Sequence, residues 1–343
     1  MHKILLRSAP RGAVRRAITS CAALGIAVAA APGAGAQTTA QSAGSTDVVV
    51  PVQGPEVGPP SPQTEAWWTG SMLSNSAATL PTGHVLAETY FFDVASAGSN
   101  SYGSFTYLLY GLADGVTVGA TPGFGYNTAR GQRISSGVGM SDLSLRAQFR
   151  LRSATPGTWK PAVAFAIGQA IPTGRYDRLG AFPGNGNGSG LPSTTLSLYT
   201  QSAFLASTGR PMRVRLNASI TLPASTNVRD VSVYGTTDGF AGRARQGVSA
   251  LIGSSIEYSL SRRWALALDL FHIRNARLRV EGIDKAGLPL NRTLPGTTQF
   301  AVAPGIEYSW TSNLGVLFAA RYIPASNAGS ASWSPAIAVN MVF

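Results

Sequence analysis

The chain has 343 residues, of which 12% are charged and 44% hydrophobic, with 39 glycines and a single cysteine. This composition argues against a disordered chain. After the N-terminal region no run of about 20 apolar residues occurs, which excludes a helical membrane protein. Five of the basic residues precede residue 37, so the formal charge of +12 becomes +7 for residues 37–343, with 22 basic and 15 acidic residues. That excess is modest and gives no ground for nucleic-acid binding.

The first 36 residues have the organisation of a secretory signal. Basic residues up to Arg16 precede an apolar stretch at 22–31, and small residues follow at 34–36. This order predicts a signal peptide cleaved after Ala36. A lipoprotein signal ending at Cys21 is the alternative, although the apolar stretch follows that cysteine instead of preceding it. With cleavage after Ala36 the mature chain contains no cysteine and enters an oxidising compartment without disulfides.

The following segment has a different composition from the rest. Residues 37–66 are rich in proline, serine and threonine, which predicts an extended periplasmic linker. Residues 67–343 then form the folded domain.

That domain is predicted to be built from strands alone. Short segments of alternating apolar and polar residues recur, each bounded by glycine, proline, asparagine or aspartate. Twelve strands are predicted, at 83–94, 103–111, 115–126, 139–152, 159–171, 193–207, 210–222, 245–259, 263–274, 297–309, 313–323 and 333–343.

The connections between these strands are sorted by length. Tight turns fall at 112–114, 153–158, 208–209, 260–262 and 310–312, and most of the alternate connections are longer, with the longest at 223–244 and 275–296. Short turns at one end and long loops at the other are typical of outer-membrane barrels. The sequence therefore predicts an all-β fold, a transmembrane antiparallel up-and-down β-barrel of about twelve strands in the bacterial outer membrane.

The alternation predicts which side chains face the lipid and which face the lumen. Pattern alone allows either face to point outward, but the signal peptide, the loop lengths and a last strand ending at Phe343 favour an apolar exterior. Aromatic residues near strand ends are predicted to form interfacial girdles: Trp159, Trp264, Trp310, Tyr322 and Trp333. Four prolines within the predicted strands are expected to mark bulges or strand ends: Pro122, Pro161, Pro304 and Pro335.

The opposite face supplies the predicted lumen lining. It comprises Glu88, Arg146, Gln148, Arg150, Arg213, Arg215, Asn217, Glu257, Asp269, Glu307, Arg321 and Asn340. The basic residues concentrate on the fourth and seventh strands, and the acidic ones on the eighth, ninth, tenth and first. One interpretation is a transverse field that orients polar solutes in a pore. The other is a set of salt bridges that plug the barrel. The Trp67-Trp68 segment or the loops are further candidates for obstructing the passage.

Three segments carry a resemblance to a known family. They are Gly83-His-Val-Leu-Ala-Glu-Thr-Tyr-Phe-Phe92, Gly139-Met-Ser-Asp-Leu-Ser-Leu-Arg-Ala-Gln-Phe-Arg150, and the stretch from Pro161 to Tyr176 containing Ile171-Pro-Thr-Gly-Arg. Together they resemble the MetA-pathway phenol-degradation family of outer-membrane proteins, over roughly residues 67–343. The resemblance implies a barrel that passes small hydrophobic or aromatic compounds.

Catalytic signatures are not found. An outer-membrane phospholipase needs a serine activated by a histidine, and the mature chain has only His84 and His272, neither in such a setting. Zinc sites lack the required Cys and His clusters. The glycine-rich run at 184–190 has no lysine and no following helix, so it is interpreted as a flexible extracellular loop and not a phosphate loop. The sequence predicts no enzymatic activity, no cofactor and no metal.

The functional prediction is a channel for passive uptake of small solutes, with a plugged structural or adhesion barrel as the alternative. The expected partners are the solute, outer-membrane lipid and lipopolysaccharide, and the barrel-assembly machinery, with no nucleic acid. Exposed loop arginines either contact lipopolysaccharide phosphates or form a solvated surface: Arg175, Arg178, Arg229 and Arg243.

Overall fold

The computed structural model describes residues 66–155, 160–326 and 329–343. The predicted signal peptide, the linker up to residue 65 and Trp159 lie outside these ranges. In the described part the strands are β1 (Val85–Ser96), β2 (Ser99–Ala113), β3 (Val116–Thr121), β4 (Gly123–Ala129), β5 (Gln132–Arg133), β6 (Gly139–Met140), β7 (Leu143–Arg152), β8 (Ala162–Ile171), β9 (Ser193–Leu205), β10 (Pro211–Pro223), β11 (Ser225–Arg229), β12 (Ala241–Gln246), β13 (Ser249–Ser259), β14 (Trp264–Asn275), β15 (Leu278–Ile283), β16 (Pro289–Leu294), β17 (Thr297–Ser309), β18 (Leu314–Ile323) and β19 (Ser332–Val342). A single 3-10 turn covers Pro183–Asn185. No helix in those ranges is long and apolar enough to cross a bilayer.

Twelve of these strands close into a barrel, which confirms the predicted fold class. The order is β1-β19-β18-β17-β14-β13-β10-β9-β8-β7-β3-β2, and β2 pairs back onto β1. Every pairing is antiparallel and the sheet closes on itself, so most backbone polar groups of the wall find a partner on a neighbouring strand and no edge strand faces lipid. The predicted strand ends agree with the observed ones within about four residues, as expected where turn residues set them.

The outer face of the wall is apolar, whereas the inner face carries both charged side chains and an apolar cluster that includes Leu86, Tyr90 and Phe271. Along β14, Leu266, Leu268 and Leu270 are exposed on the outer face, whereas Ala267 and Asp269 between them are buried. This period of two is what a strand between hydrocarbon and lumen requires. Four of the predicted girdle residues, Trp264, Trp310, Tyr322 and Trp333, are exposed on the outside near strand ends.

Two of the four strand prolines lie at strand ends, as predicted, and the other two lie within strands without forming a bulge. Pro122 lies between β3 and β4, and Pro161 precedes β8. Pro304 and Pro335 lie inside β17 and β19, where the register on both sides of each stays constant. Proline has no backbone N–H to donate, so each of these two strands lacks a few ladder pairs on one side. The missing pairs are with β18 at Pro304 and with β1 at Pro335.

Four barrel strands continue beyond the membrane as a second sheet. Along the chain, β11 follows β10, β12 precedes β13, β15 follows β14 and β16 precedes β17. These four strands form a sheet in the order β11-β12-β15-β16. The ranges 223–244 and 275–296, predicted as loops, thus contain regular structure. Its inner face packs a small core that includes Val228, Phe240 and Val280.

The loop between β8 and β9 packs inside the extracellular mouth. A Cβ added to Gly188 would overlap the backbone of Gly174, so glycine is needed there for close approach. The interpretation of residues 184–190 as a flexible loop is therefore corrected: the glycines allow tight packing.

Tyr234 donates to the carbonyl of Ser189, and burial raises the pKa of this tyrosine well above its usual value, so the hydroxyl remains a donor.

Candidate functional site in the barrel lumen

Residues 66–82, here called the strap, run through the lumen without forming a strand. At one end the amide of Trp67 donates to the carbonyl of Arg262, in the short turn between β13 and β14, over 2.8 Å. At the other end Gly83 donates to the carbonyl of Gly111, also over 2.8 Å, beside the short turn between β2 and β3. Both ends of the strap therefore lie at the short-turn rim, which in outer-membrane barrels is the periplasmic one. The strap enters and leaves on the same side.

Two buried carboxylates hold the first half of the strap. Oε2 of Glu307 accepts hydrogen bonds from the amides of Thr69 and Gly70 at 2.8 and 3.1 Å, and from the Thr69 hydroxyl at 3.1 Å. Oδ2 of Asp269 accepts from the amide of Leu73 at 3.0 Å. Hydrogen bonds from amides to carboxylates are among the stronger ones in proteins.

The apex of the strap lies near mid-barrel and is held by three side chains of the wall. Asn217 accepts from the amide of Asn75 at 2.6 Å and donates to its carbonyl at 3.0 Å. Arg215 donates to the carbonyl of Ser74 at 2.8 Å. Arg146 donates to the side-chain oxygen of Asn75 at 2.6 Å. The apex is thus hydrogen-bonded by amide and guanidinium groups of the wall, through its backbone and through the side chain of Asn75.

The returning half is held in the same way. Gln148 donates to the carbonyls of Ser76 and Ala78, at 3.1 and 2.8 Å. The amide of Leu80 donates to the hydroxyl of Thr117 at 2.8 Å. Within the described part of the lumen, side chains of the wall therefore supply the partners that a ladder would supply to a strand.

Two wall glycines admit the strap. A Cβ at Gly111 would overlap the carbonyl oxygen of Pro81, and one at Gly315 would overlap the Thr69 side chain. Glycine is therefore needed at both ends, because the backbone of Pro81 and the side chain of Thr69 approach the wall closer than a Cβ permits.

Three charged residues of the lumen, Arg213, Arg215 and Glu257, interact on neighbouring strands. Arg213 makes a fork with the carboxylate of Glu257, with Nη2 to Oε1 at 2.6 Å, and Arg215 lies 3.5 Å from the same carboxylate. The guanidinium of Arg213 also lies over the ring of Trp68, 4.8 Å from its centroid. These pairs join adjacent strands, β10 and β13, and do not face each other across the lumen. The arrangement favours the salt-bridge interpretation over a transverse field for these residues.

The predicted lumen-lining residues differ in position along the barrel. Ten of the twelve are buried: Glu88, Gln148, Arg213, Arg215, Asn217, Glu257, Asp269, Glu307, Arg321 and Asn340. Arg146 is half-buried beside the apex of the strap. Arg150 is nearer the rim and pairs with the exposed Asp114 at 2.5 Å. Glu88 lies opposite Asn340 in register, whereas Arg321 lies at the other end of its strand from the strap.

On the extracellular side of the strap lies a chamber lined by both polar and apolar residues, with Leu145, Ala166 and Leu251 among the apolar ones. Its cavity volume is about 40 Å³, enough for a few water molecules. The chamber is lined by Tyr107, Thr121, Ser144, Arg146, Thr195, Tyr199, Asn217, Ser219 and Thr221, among others.

The two histidines of residues 37–343 lie away from this site. His84 contacts the carbonyl of Thr82 at the periplasmic rim. His272 is on the outer face of β14, opposite Ile252 and Phe300. In the described ranges neither histidine forms a hydrogen bond with a serine.

Sequence reasoning missed most of the strap. The aromatic pair at its start was recognised as a possible obstruction, but residues 69–80 carry no periodic signal. The available signal is indirect: a stretch rich in serine, threonine and asparagine, free of charge, directly before the first strand.

Comparison with known proteins supports the fold. No family model matches the sequence, and no curated protein matches it. Among solved structures, an outer membrane channel from Pseudomonas putida F1 is similar with a TM-score of 0.58 and 16% identity, covering 80% of this chain and 100% of that one. The NanC porin gives a TM-score of 0.42 at 9% identity, over 74% of this chain and 98% of that one. The KdgM porin gives 0.40 at 7%, over 75% and 99%.

At such identities the first likeness shows the fold alone, and the two lower scores carry no argument. The closed antiparallel wall, its apolar exterior and its two aromatic girdles agree with that fold. The chain is a twelve-stranded transmembrane β-barrel of the bacterial outer membrane.

Proposed function

We propose that the protein is an outer-membrane channel for small solutes, and that the structure represents its closed state. The observation that carries the proposal is the strap. It fills the periplasmic half of the lumen without joining the sheet, and it is held by side chains of the wall, by a backbone hydrogen bond at Trp67 and by the packing of Met72, Leu73 and Leu80.

Removal of the strap leaves the wall intact. The β1–β2 and β1–β19 pairings close the cylinder without any residue of the strap. The freed lumen is then lined by charged and amide side chains and by an apolar cluster that includes Leu86, Tyr90 and Phe271. Opening therefore exchanges hydrogen bonds with the strap for hydrogen bonds with water, at a modest net cost for each bond, and it also exposes the buried side chains of Met72, Leu73 and Leu80.

The chemistry of the chamber favours small aromatic acids within the class of small solutes. Arg146 provides a cation, and it already lies over the ring of Tyr199, 5.1 Å from the centroid. Tyr107 and Tyr199 supply aromatic surface, and the hydroxyl groups around them supply hydrogen bonds. The resemblance to the phenol-degradation family points to aromatic compounds as well. Alkanes would leave these polar groups unpaired.

Single-channel recording in planar bilayers tests the proposal. We expect the wild-type protein to be mostly silent and a variant lacking residues 69–80 to conduct. Because a deletion can impair folding, the double variant Glu307→Gln/Asp269→Asn serves as a second opener. Folding of each is checked by the shift in gel migration on heating. Folded variants that both remain silent would contradict a channel function.

Liposome swelling then identifies the solute class. With the strap-deleted variant, we expect benzoate-type acids to enter faster than sugars of similar size, and Arg146→Gln to remove that preference. Equal rates for acids and sugars would contradict the assignment to aromatic acids while leaving the channel itself intact.

The second candidate is a closed structural or adhesion barrel. The ordered extracellular sheet and its packed core favour it, because a simple pore does not need them. Silence of both opened variants in the bilayer experiment would support this candidate.

Assembly by the barrel-assembly machinery is proposed from the last strand, β19, which ends next to Phe343.

A further inference from the structure

An arginine cluster lies where the extracellular sheet meets the barrel. Arg245 on β12 is directly opposite Arg279 on β15, and both side chains are exposed. The carbonyl of Arg277, two residues before Arg279, accepts a hydrogen bond from Gly247 at 3.0 Å, which keeps the third arginine beside the other two. The side chain of Arg277 is also exposed. Arg245, Arg277 and Arg279 are here called the arginine cluster.

The cluster lacks an internal counter-charge. Like charges directly opposite each other on adjacent strands destabilise a sheet. The outer neighbours in register are hydroxyl residues, Ser225 beside Arg245 and Thr293 beside Arg279. The acidic residue of this part of the sheet, Glu281, lies opposite a different arginine, Arg243. No carboxylate of the described residues forms an ion pair with the cluster.

The height of the cluster follows from β14. Trp264 marks the periplasmic girdle, and Arg274 follows ten residues later on the same outward face. Ten residues at about 3.3 Å each, on a strand tilted by about 40°, rise about 25 Å, which is the height of the apolar band of an outer-membrane barrel. Arg274 therefore lies at the outer edge of the hydrocarbon. Arg277 and Arg279 lie just beyond it, at the level of the lipid head groups.

We infer that the arginine cluster, with Arg274 below it, is a binding site for the phosphate groups of outer-leaflet lipid, of which lipopolysaccharide is the phosphorylated kind expected there. Guanidinium groups bind phosphate oxygens through paired N–H donors. A bound phosphate supplies the missing counter-charge between Arg245 and Arg279. Acyl chains of the same lipid then lie along the leucines of β14, which continue the surface below.

Binding of lipopolysaccharide to the purified, detergent-folded protein tests this inference. The site variant is Arg245→Gln/Arg277→Gln/Arg279→Gln. The matched control is Arg130→Gln/Arg175→Gln/Arg178→Gln, which removes the same charge from exposed arginines on other extracellular loops. We expect the site variant to weaken binding at least tenfold and the control to change it less than twofold.

Two further ligands identify the source of the phosphate. Dephosphorylated lipopolysaccharide is expected to bind the wild type as weakly as the native lipid binds the site variant. Inorganic phosphate in large excess is expected not to displace the lipid. Equal affinity of the wild type and the site variant, equal loss in the control, or displacement by free phosphate would each overturn the inference. The assay does not depend on conduction, so it stands apart from the channel proposal.

Discussion

Asn217 holds the apex of the strap with a pair of hydrogen bonds that no hydrophobic side chain can replace. It accepts from the amide of Asn75 and donates to its carbonyl, and all four groups are buried. Both backbone groups would lose their partner together if the side-chain amide were removed.

We therefore predict that Asn217→Ala releases the apex. Leaving buried polar groups unpaired costs about 1–3 kcal/mol, which corresponds to about a five- to 150-fold rise in the population of the open strap. Hydrogen exchange of the peptide covering residues 69–80, followed by mass spectrometry, measures this. The control is Ser219→Ala, two residues along the same face, in the chamber. Equal exchange in both variants would contradict the role of Asn217.

A second prediction concerns the buried ion pair. Glu257→Gln removes the carboxylate that forms a fork with Arg213 and lies 3.5 Å from Arg215, and breaking one partner of a buried pair costs about 3–5 kcal/mol. We expect the free energy of unfolding, measured with urea in lipid vesicles, to fall by this amount. Lys285→Gln, which breaks the fully exposed pair with Asp238, is expected to leave it unchanged. A stable Glu257→Gln barrel would show that water already screens the pair.

Alternation along strands was enough to identify inward-facing polar residues, but not what they contact. Glu307 and Asp269 follow the period of two, and that period places them inside. Their partners lie on the strap, more than 190 residues away along the chain and without periodicity, so no local pattern links them. Arg150 shows another limit of the pattern. Its position in the alternation places it on the lumen face, but it lies near the rim and pairs with the turn residue Asp114.

The extracellular sheet is an element with its own small core. Phe240 is buried between the sheet and the mouth loop together with Val228 and Val280. Because this core is separate from the wall of the barrel, its loss is expected to remain local.

Phe240→Ala is accordingly predicted to destabilise the sheet by about 3–5 kcal/mol without unfolding the barrel. Limited proteolysis is expected to cut within residues 230–240 in this variant, while the shift in gel migration on heating stays as in the wild type. Ile283→Ala, at an exposed position of β15, serves as the control. Loss of the heat-dependent shift would mean that the sheet and the barrel fold as one unit.

The strands of the barrel were predictable, whereas the four strands above it were not. Tight turns and alternation delimit each wall strand. In the barrel strand β13 the buried residues have odd numbers, as at Leu251, whereas in the adjoining upper strand β12 the buried residue Ala244 has an even number. The irregular step at Gly247 and Val248 breaks the period there, and the segments on its far side are short enough to be interpreted as loop.

The molecule as a whole is inverted relative to a water-soluble barrel: leucines surround it, and arginines and glutamates lie within. Its solvation by lipid is thus part of its stability. Loop lengths and the last strand predicted this orientation because they depend on membrane insertion and not on local packing.

Leu268→Arg tests the orientation, because this leucine lies midway up the outer face of β14. An arginine at the midplane of the bilayer costs about 2–4 kcal/mol. We expect the free energy of unfolding in vesicles to fall by that amount. Leu288→Arg, exposed on the extracellular hairpin, is expected to have no effect. Equal stability of both variants would place residue 268 outside the hydrocarbon.

The strap with both ends at one rim has a mechanical consequence. A pull on residue 66 from the periplasmic side loads its attachments one after another, first the Trp67–Arg262 hydrogen bond, then Glu307, then Asp269, then Asn217. The strap can therefore be released stepwise from this end, without breaking all of its contacts at once.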